Sequence, residues 1–338
     1  MSEAVNGDSV MVEEPVAFSD MFTRYHDEGM VVDTEAHVFE RAGYSALGLA
    51  SHYRWHEHSG DLLVAEMDTA GVDIACICGT DEKTMRQEIE KAGANPDEFT
   101  MRKEYYWEAA SKHPDRLKFF PNVDLSDPDY VSILRADFEA GAHGIGEVAP
   151  AFSGWWPDDE RMQAVWRLCA DYGKPVIITF EGWFNWTQDF SEYLGRFEKV
   201  VRTFPQVNFL ICHMGAYNWS SDMAFYWGEK SPWKWTDVAV DFFNRFDNVA
   251  GSIGGITWMA DQDFPYPLGL AWLQEMVRRV GAEKIAWATD WPWSDQVCKY
   301  KQAANMIRNH TPFLSNIERK MILGETAVRF LGLPRLEK

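Results

Sequence analysis

Eight short apolar runs, each separated from the next by a longer stretch, most constrain what this chain can fold into. They occupy residues 31–39, 72–78, 117–123, 144–148, 175–180, 207–213, 249–253 and 285–290. Runs of this length without polar alternation read as strands buried on both faces of a parallel sheet. Amphipathic segments lie between them, among them residues 129–140, 161–172, 190–203 and 270–280. Strands alternating with helices imply βαβ units. Eight such units in 338 residues predict an α/β fold of the (β/α)8 TIM-barrel type, a single domain over residues 31–338. An open doubly wound sheet is the competing architecture, and it favours a glycine-rich phosphate turn after the first strand. The first strand here ends in EAHVFERAG, without G-x-G-x-x-G. Residues 40–61, 149–160 and 219–236 read as aromatic-rich loop insertions that wall the site.

Charge and composition narrow the partners. Thirty-two Lys and Arg against 52 Asp and Glu leave a net charge of −20. Nucleic acids and anionic membranes both call for a basic face, so neither is expected as a partner. No apolar run approaches the roughly 18 residues of a membrane helix. The opening MSEAVNGDSVMVEEP is acidic and lacks the basic start of a secretory signal. Residues 1–30 therefore read as a flexible leader, or as an arm that docks on a partner subunit. The five cysteines, Cys76, Cys78, Cys169, Cys212 and Cys298, are odd in number and form no C-x-x-C. They read as reduced thiols in a cytoplasmic protein, with Cys76 and Cys78 as small buried hydrophobes. Sixteen Trp are present, many beside Gly or Pro, as in Gly182-Trp183 and Trp291-Pro292-Trp293. Loops on the active face of a barrel build pockets, so a planar aromatic substrate is expected, with Trp183 and Trp291 against it.

Chemistry in a barrel sits at the C-terminal ends of the strands. The first strand offers Glu35 and His37, two apart and so on one face. The fourth, GIGEV, offers Glu147, and the fifth, KPVIITFEG, offers Thr179 and Glu181. The sixth, FLICHMG, offers His213, and the eighth, WATDWPW, offers Asp290. Each has an ordinary explanation alone: a hydrogen-bonded core histidine, a turn cap, half of a buried ion pair. Idle together, they would be costly to bury. Carboxylates and imidazoles converging there suit a divalent metal, zinc or manganese. In SHYRWHEHSG, which carries His52, Arg54, His56 and His58, the choice is between a solvated loop and carboxylate capture by the Arg54 fork. His26, His113, His143 and His310 read as structural or exposed, and Asp33 as an orienting partner for His37.

Three motifs in this order, EAHVF at 35–39, CHMG at 212–215 and ATDWPW at 288–293, with ILGETAVRFLGL at 322–333, resemble the amidohydrolase superfamily. The resemblance lies within the branch of aminocarboxymuconate semialdehyde decarboxylase and the hydroxybenzoate decarboxylases, and covers residues 31 to the C-terminus. It implies that Glu35, His37 and Asp290 bind one divalent ion, manganese or zinc, with two ions as the alternative. Glu in place of the first His resembles the γ-resorcylate and 5-carboxyvanillate decarboxylases. His213 takes the place of the family's catalytic histidine. The fifth strand departs from the pattern, since Thr179 stands where a metal-binding His is usual. Glu181 has the parity to replace it, and Glu147 is the other candidate, in a G-E pair similar to that of the TatD-type deoxyribonucleases. More anionic oxygen favours manganese.

The leading expectation is non-oxidative decarboxylation of a hydroxylated aromatic acid, with Asp290 as proton donor to the ring, His213 stabilising charge, and Arg54, Thr179, Trp183 and Trp291 on the substrate. The second is hydrolysis of a C–N or C–O bond by metal-activated water. The third is a non-catalytic binder, supported by the missing fifth-strand His. A homodimer or higher homo-oligomer is expected from resemblance and from the frequency of dimers.

Overall fold

The computed structural model describes residues 29–42, 56–80, 83, 86–87, 90, 95–96, 99–100, 102–150, 154–180, 190–215, 234–257 and 263–336. All eight expected barrel strands are present among them. In chain order the strands are β1 Val32–Ala36, β2 Phe39–Ala42, β3 His56–His58, β4 Ile74–Cys78, β5 Phe99–Thr100, β6 Leu117–Phe120, β7 Ile145–Val148, β8 Val176–Ile178, β9 Phe209–Ile211, β10 Val249–Ser252 and β11 Ile285–Ala286. Parallel pairing gives two arcs, β1-β4-β6 and β11-β10-β9-β8-β7. At one junction the N–H groups of His143 and Gly146 donate to the carbonyls of Phe119 and Pro121. At the other, Ala36 bridges to Trp291, and Thr34 N–H donates to Trp287 O at 3.2 Å. The two arcs thus close into one (β/α)8 barrel.

Residues along each strand serve two cores. Val32, Ile74, Cys76, Phe120, Ile177, Leu210, Ala250 and Ala286 gather in the barrel lumen. Their neighbours Ala75, Ile77, Val176, Ile178, Phe209 and Ile211 pack with helix residues such as Leu63, Met67, Trp166 and Phe197. Burial on both faces is why these strands carry no polar alternation. The helices place their apolar stripes against the outer layer, as Met162, Val165, Trp166 and Cys169 do on Glu160–Tyr172. All five cysteines are free and buried.

The C-terminal segment closes the floor. Ala327, Val328, Phe330 and Leu331 join the lumen cluster. Asn208 Nδ2 donates to Phe330 O at 3.0 Å, and His143 Nε2 to Leu331 O at 2.9 Å. Gly324 runs so close to the Met30 carbonyl that a Cβ there would collide with it.

Two differences from the sequence reading concern the mouth. The first run splits, because its end leaves the barrel as β2. That strand pairs antiparallel with β3 and β5 in a separate three-stranded sheet. The stretch 40–61 is thus in part sheet rather than loop. Among the described residues no helix is long and apolar enough to cross a membrane.

Candidate metal centre

The register between β1 and β4 shifts between Asp33 and Ala36. Strict alternation from Val32, which faces the lumen, would turn Glu35 outward; the irregularity lets Ala36 join the outer core while Glu35 and His37 meet over the lumen. Asp290 reaches the same point from the far side of the barrel seam. One donor atom from each of Glu35, His37 and Asp290 lies within 4.8 Å of the others. All three residues are buried. His37 Nε2 is 3.5 Å from Asp290 Oδ1 and 3.7 Å from Glu147 Oε2. His213 Nε2 is 3.4 Å from Glu35 Oε1, and Ser252 Oγ donates to Glu35 Oε2 at 3.2 Å.

Two backbone carbonyls fix the imidazoles. His37 Nδ1 bonds Cys78 O at 3.0 Å, and His213 Nδ1 bonds Gly254 O at 2.7 Å. A carbonyl only accepts, so Nδ1 carries the proton in both rings. In the neutral form of each ring, Nε2 then turns a lone pair toward carboxylate oxygen. A cation between them resolves that opposition, and carboxylate plus backbone-oriented imidazole is an established donor set for divalent metal. These residues therefore fit such an ion.

Both His213 and Asp290 sit in the left-handed region, at φ 54° and 57°. For a non-glycine residue this conformation costs about 1–2 kcal/mol, so each is held there by its surroundings. For Asp290 these are the bond from its N–H to Glu35 O at 2.9 Å and the bond from Ser294 N–H to its carbonyl at 3.2 Å.

The electrostatics reflect close negative charge. Burial pushes Glu147 above the usual carboxylate range, partly offset by His37 and His213, while Asp290 adds to the rise. Burial alone would lower His37; the bond to Asp290 and the charges of Glu147 and Asp290 outweigh it and raise it.

Directly after β8, the Thr179 hydroxyl bonds the Glu147 carboxyl. Among the described residues, Glu147 is a further carboxylate beside the three donors. Glu181, Arg54 and Trp183 lie outside the described residues. Trp291 is 1% exposed, its ring edge-on to His58 at 5.2 Å, and its carbonyl accepts from His37 N–H. His58 is itself buried between Phe39 and Trp291, so the solvated-loop reading does not hold for it. Asp33 bonds Thr289 rather than His37. Sequence reasoning missed Cys212, which places a sulfur within 4.8 Å of oxygens of Glu35 and Glu147. Burial, then the charges of Glu35 and Glu147, push its thiol far up. Its position directly before His213 on a strand end was the available signal.

No curated protein matches the chain. Solved structures share the fold. One is described as a probable 2-pyrone-4,6-dicarboxylic acid hydrolase from Acinetobacter baumannii, with citric acid bound. It is 14% identical, with 89% of this chain and 99% of that one covered and a TM-score of 0.63. Another is 2,6-dihydroxybenzoate decarboxylase from Rhizobium, 16% identical over 90% and 99% of the two chains, TM-score 0.59. A third, 5-carboxyvanillate decarboxylase from Novosphingobium aromaticivorans with bound manganese, is 15% identical over 91% and 98%, TM-score 0.57. Identities this low speak for the barrel alone. The amidohydrolase family model, by contrast, matches residues 32–333, nearly the whole described barrel, and the chain belongs to that family.

Proposed function

We propose that this protein is a divalent-metal-dependent decarboxylase of a hydroxylated aromatic carboxylate. The observation that carries the reading is the buried Glu35–His37–Asp290 cluster, with His213 Nε2 facing it from just beyond β9. Glu rather than His at the first position is the form that resembles the 2,6-dihydroxybenzoate (γ-resorcylate) and 5-carboxyvanillate decarboxylases. Glu35, His37 and Asp290 would hold the ion, and their excess of carboxylate oxygen favours manganese over zinc. A divalent ion bound there supplies positive charge to the carboxylate and adjacent hydroxyl of an aromatic acid.

The chain's own residues do the rest. Asp290, carrying a proton, delivers it to the ring carbon that bears the carboxylate. The bond from that carbon to the carboxylate then breaks, its electron pair returns to the ring, and CO2 leaves. His213, its Nδ1–H committed to Gly254 O, faces the substrate position through Nε2, which on taking up a proton donates to the charge that develops on the substrate. Solvent restores the proton to Asp290.

A second reading has its own support. Glu35 and Glu147 with Cys212 form another group of donors beside the first. Two ions and an activated water would then hydrolyse a C–N or C–O bond.

One experiment separates the two. The manganese-loaded protein is given a panel of hydroxybenzoates in D2O, and cyclic esters and amides in H2 18O. Loss of CO2 with one deuterium on the ring supports decarboxylation. Solvent oxygen in the product, without CO2, overturns it in favour of hydrolysis.

A further inference from the structure

Asp33 is a fully buried carboxylate that touches none of the residues assigned a chemical role through its side chain, except the backbone N–H of Glu35 at 3.2 Å. Its oxygens are aimed across the barrel seam. Oδ1 accepts from the Thr289 backbone N–H at 2.9 Å, and Oδ2 accepts from the Thr289 hydroxyl at 2.6 Å. The same hydroxyl accepts from Trp291 N–H at 3.0 Å. Thr289 is 2% exposed.

The Thr289 hydroxyl therefore reaches over Asp290 from the residue before it to the residue after it. Asp290 is the only residue inside that small ring of bonds, and its φ of 57° is the conformation the ring encloses. A left-handed aspartate is disfavoured by itself, so the flanking bonds act with those of its own N–H and carbonyl to keep the carboxylate turned toward His37. Burying a charged Asp33 is unfavourable unless its donors are satisfied, and Thr289 supplies two of them from one residue. Backbone bridges alone already close the barrel here, at Thr34–Trp287 and His37–Trp291. To these bridges, and to the bonds of the Asp290 N–H with Glu35 O and of its carbonyl with Ser294 N–H, the Asp33–Thr289 pair adds a side-chain tie to the residues on either side of Asp290.

We infer that Thr289, anchored by Asp33, is a positioning residue: its hydroxyl holds Asp290 in the left-handed conformation that completes the cation site. This inference rests on the reading of Glu35, His37 and Asp290 as cation ligands. Thr289 itself touches neither the ion position nor a substrate; it acts through the backbone on either side of Asp290.

The test uses the full-length chain and Mn2+ alone, with free ion read from its electron paramagnetic resonance signal. Removing a partner that orients a metal ligand weakens binding by about 10–100-fold. Thr289→Val, equal in size but without the hydroxyl, is expected to bind Mn2+ at least about tenfold more weakly than wild type. Thr289→Ser keeps the hydroxyl and is expected to bind within about threefold of wild type, since both bonds can be remade. The melting temperatures of the metal-free proteins are compared in parallel; a purely structural role would lower melting without a selective loss of Mn2+. If Thr289→Val does not fold, Thr289→Ala, which adds no atoms, carries the same comparison. Wild-type affinity in the variant that lacks the hydroxyl overturns the inference and leaves the cation reading standing. Failure of the wild type itself to bind Mn2+ overturns both.

Discussion

His37 Nε2 lies 3.5 Å from Oδ1 of Asp290, so an imidazole–carboxylate contact joins the backbone bridges where the first and last strands of the barrel meet. Asp290→Asn keeps the side-chain volume and removes both the charge and the transferable proton. Turnover is expected to fall by at least about 10²–10⁴-fold, the range for loss of a positioned acid. Far-ultraviolet circular dichroism should stay that of wild type. Near-wild-type turnover would remove Asp290 from the role of proton donor.

Stability should report the cation directly. An ion at about 100 times its dissociation constant stabilises the folded state by about 2.7 kcal/mol. At roughly 2.1 cal/mol/K of unfolding entropy per residue, that raises the melting temperature by about 4 °C for a chain of this length. Thermal scans with and without Mn2+ or Zn2+ measure it. Glu35→Gln should lose most of the increment.

Gly254 approaches Glu35 so closely that a Cβ on it would lie 2.6 Å from Glu35 Oε2 and 3.3 Å from the Ala288 Cβ. Gly254→Ala should therefore push the Glu35 carboxylate aside. Cation affinity is expected to drop by about tenfold or more, the scale seen when a ligand loses its orientation. Equilibrium dialysis against Mn2+ reads the change, and unaltered affinity would mean that Glu35 has room to yield.

The contact between His143 and the C-terminal segment predicts a pH dependence. Burial holds this imidazole below its ordinary value of 6.5, although its bond to the Leu331 carbonyl works the other way. The folded state then binds the proton less readily than the unfolded chain does. Its contribution is fully present above pH 6.5 and is lost as pH falls through the lowered folded value. Urea unfolding between pH 7.5 and 5 should show stability falling with acid, and His143→Gln should flatten part of that slope.

Much of the barrel was legible because parallel strands buried on both faces must be apolar throughout, and the runs around Ile74–Cys78 and Phe209–Ile211 are. Glu35 and His37 were legible by their spacing of two, yet the register shift that turns them inward has no mark in VVDTEAHVF. The sheet of β2, β3 and β5 was not legible. Its strands are two to four residues long, and pairing between Arg41 and Thr100 is set by contacts distant in sequence. The partner of Asp33 was hidden for the same reason, since Thr289 reaches it only once the barrel has closed. Cys78 and Gly254 act through carbonyls, which no side-chain pattern reveals.

The seam between the first and last strands also sets an order of assembly. During synthesis Glu35 and His37 leave the ribosome long before Asp290, and the segment that seals the floor emerges later still. A chain halted before strand β11 holds two of the three donors and no means of gathering the third. On the proposed reading, cation binding would therefore be a property of finished molecules, and a metal-dependent rise in protease resistance would count the ribosomal products whose barrel has shut.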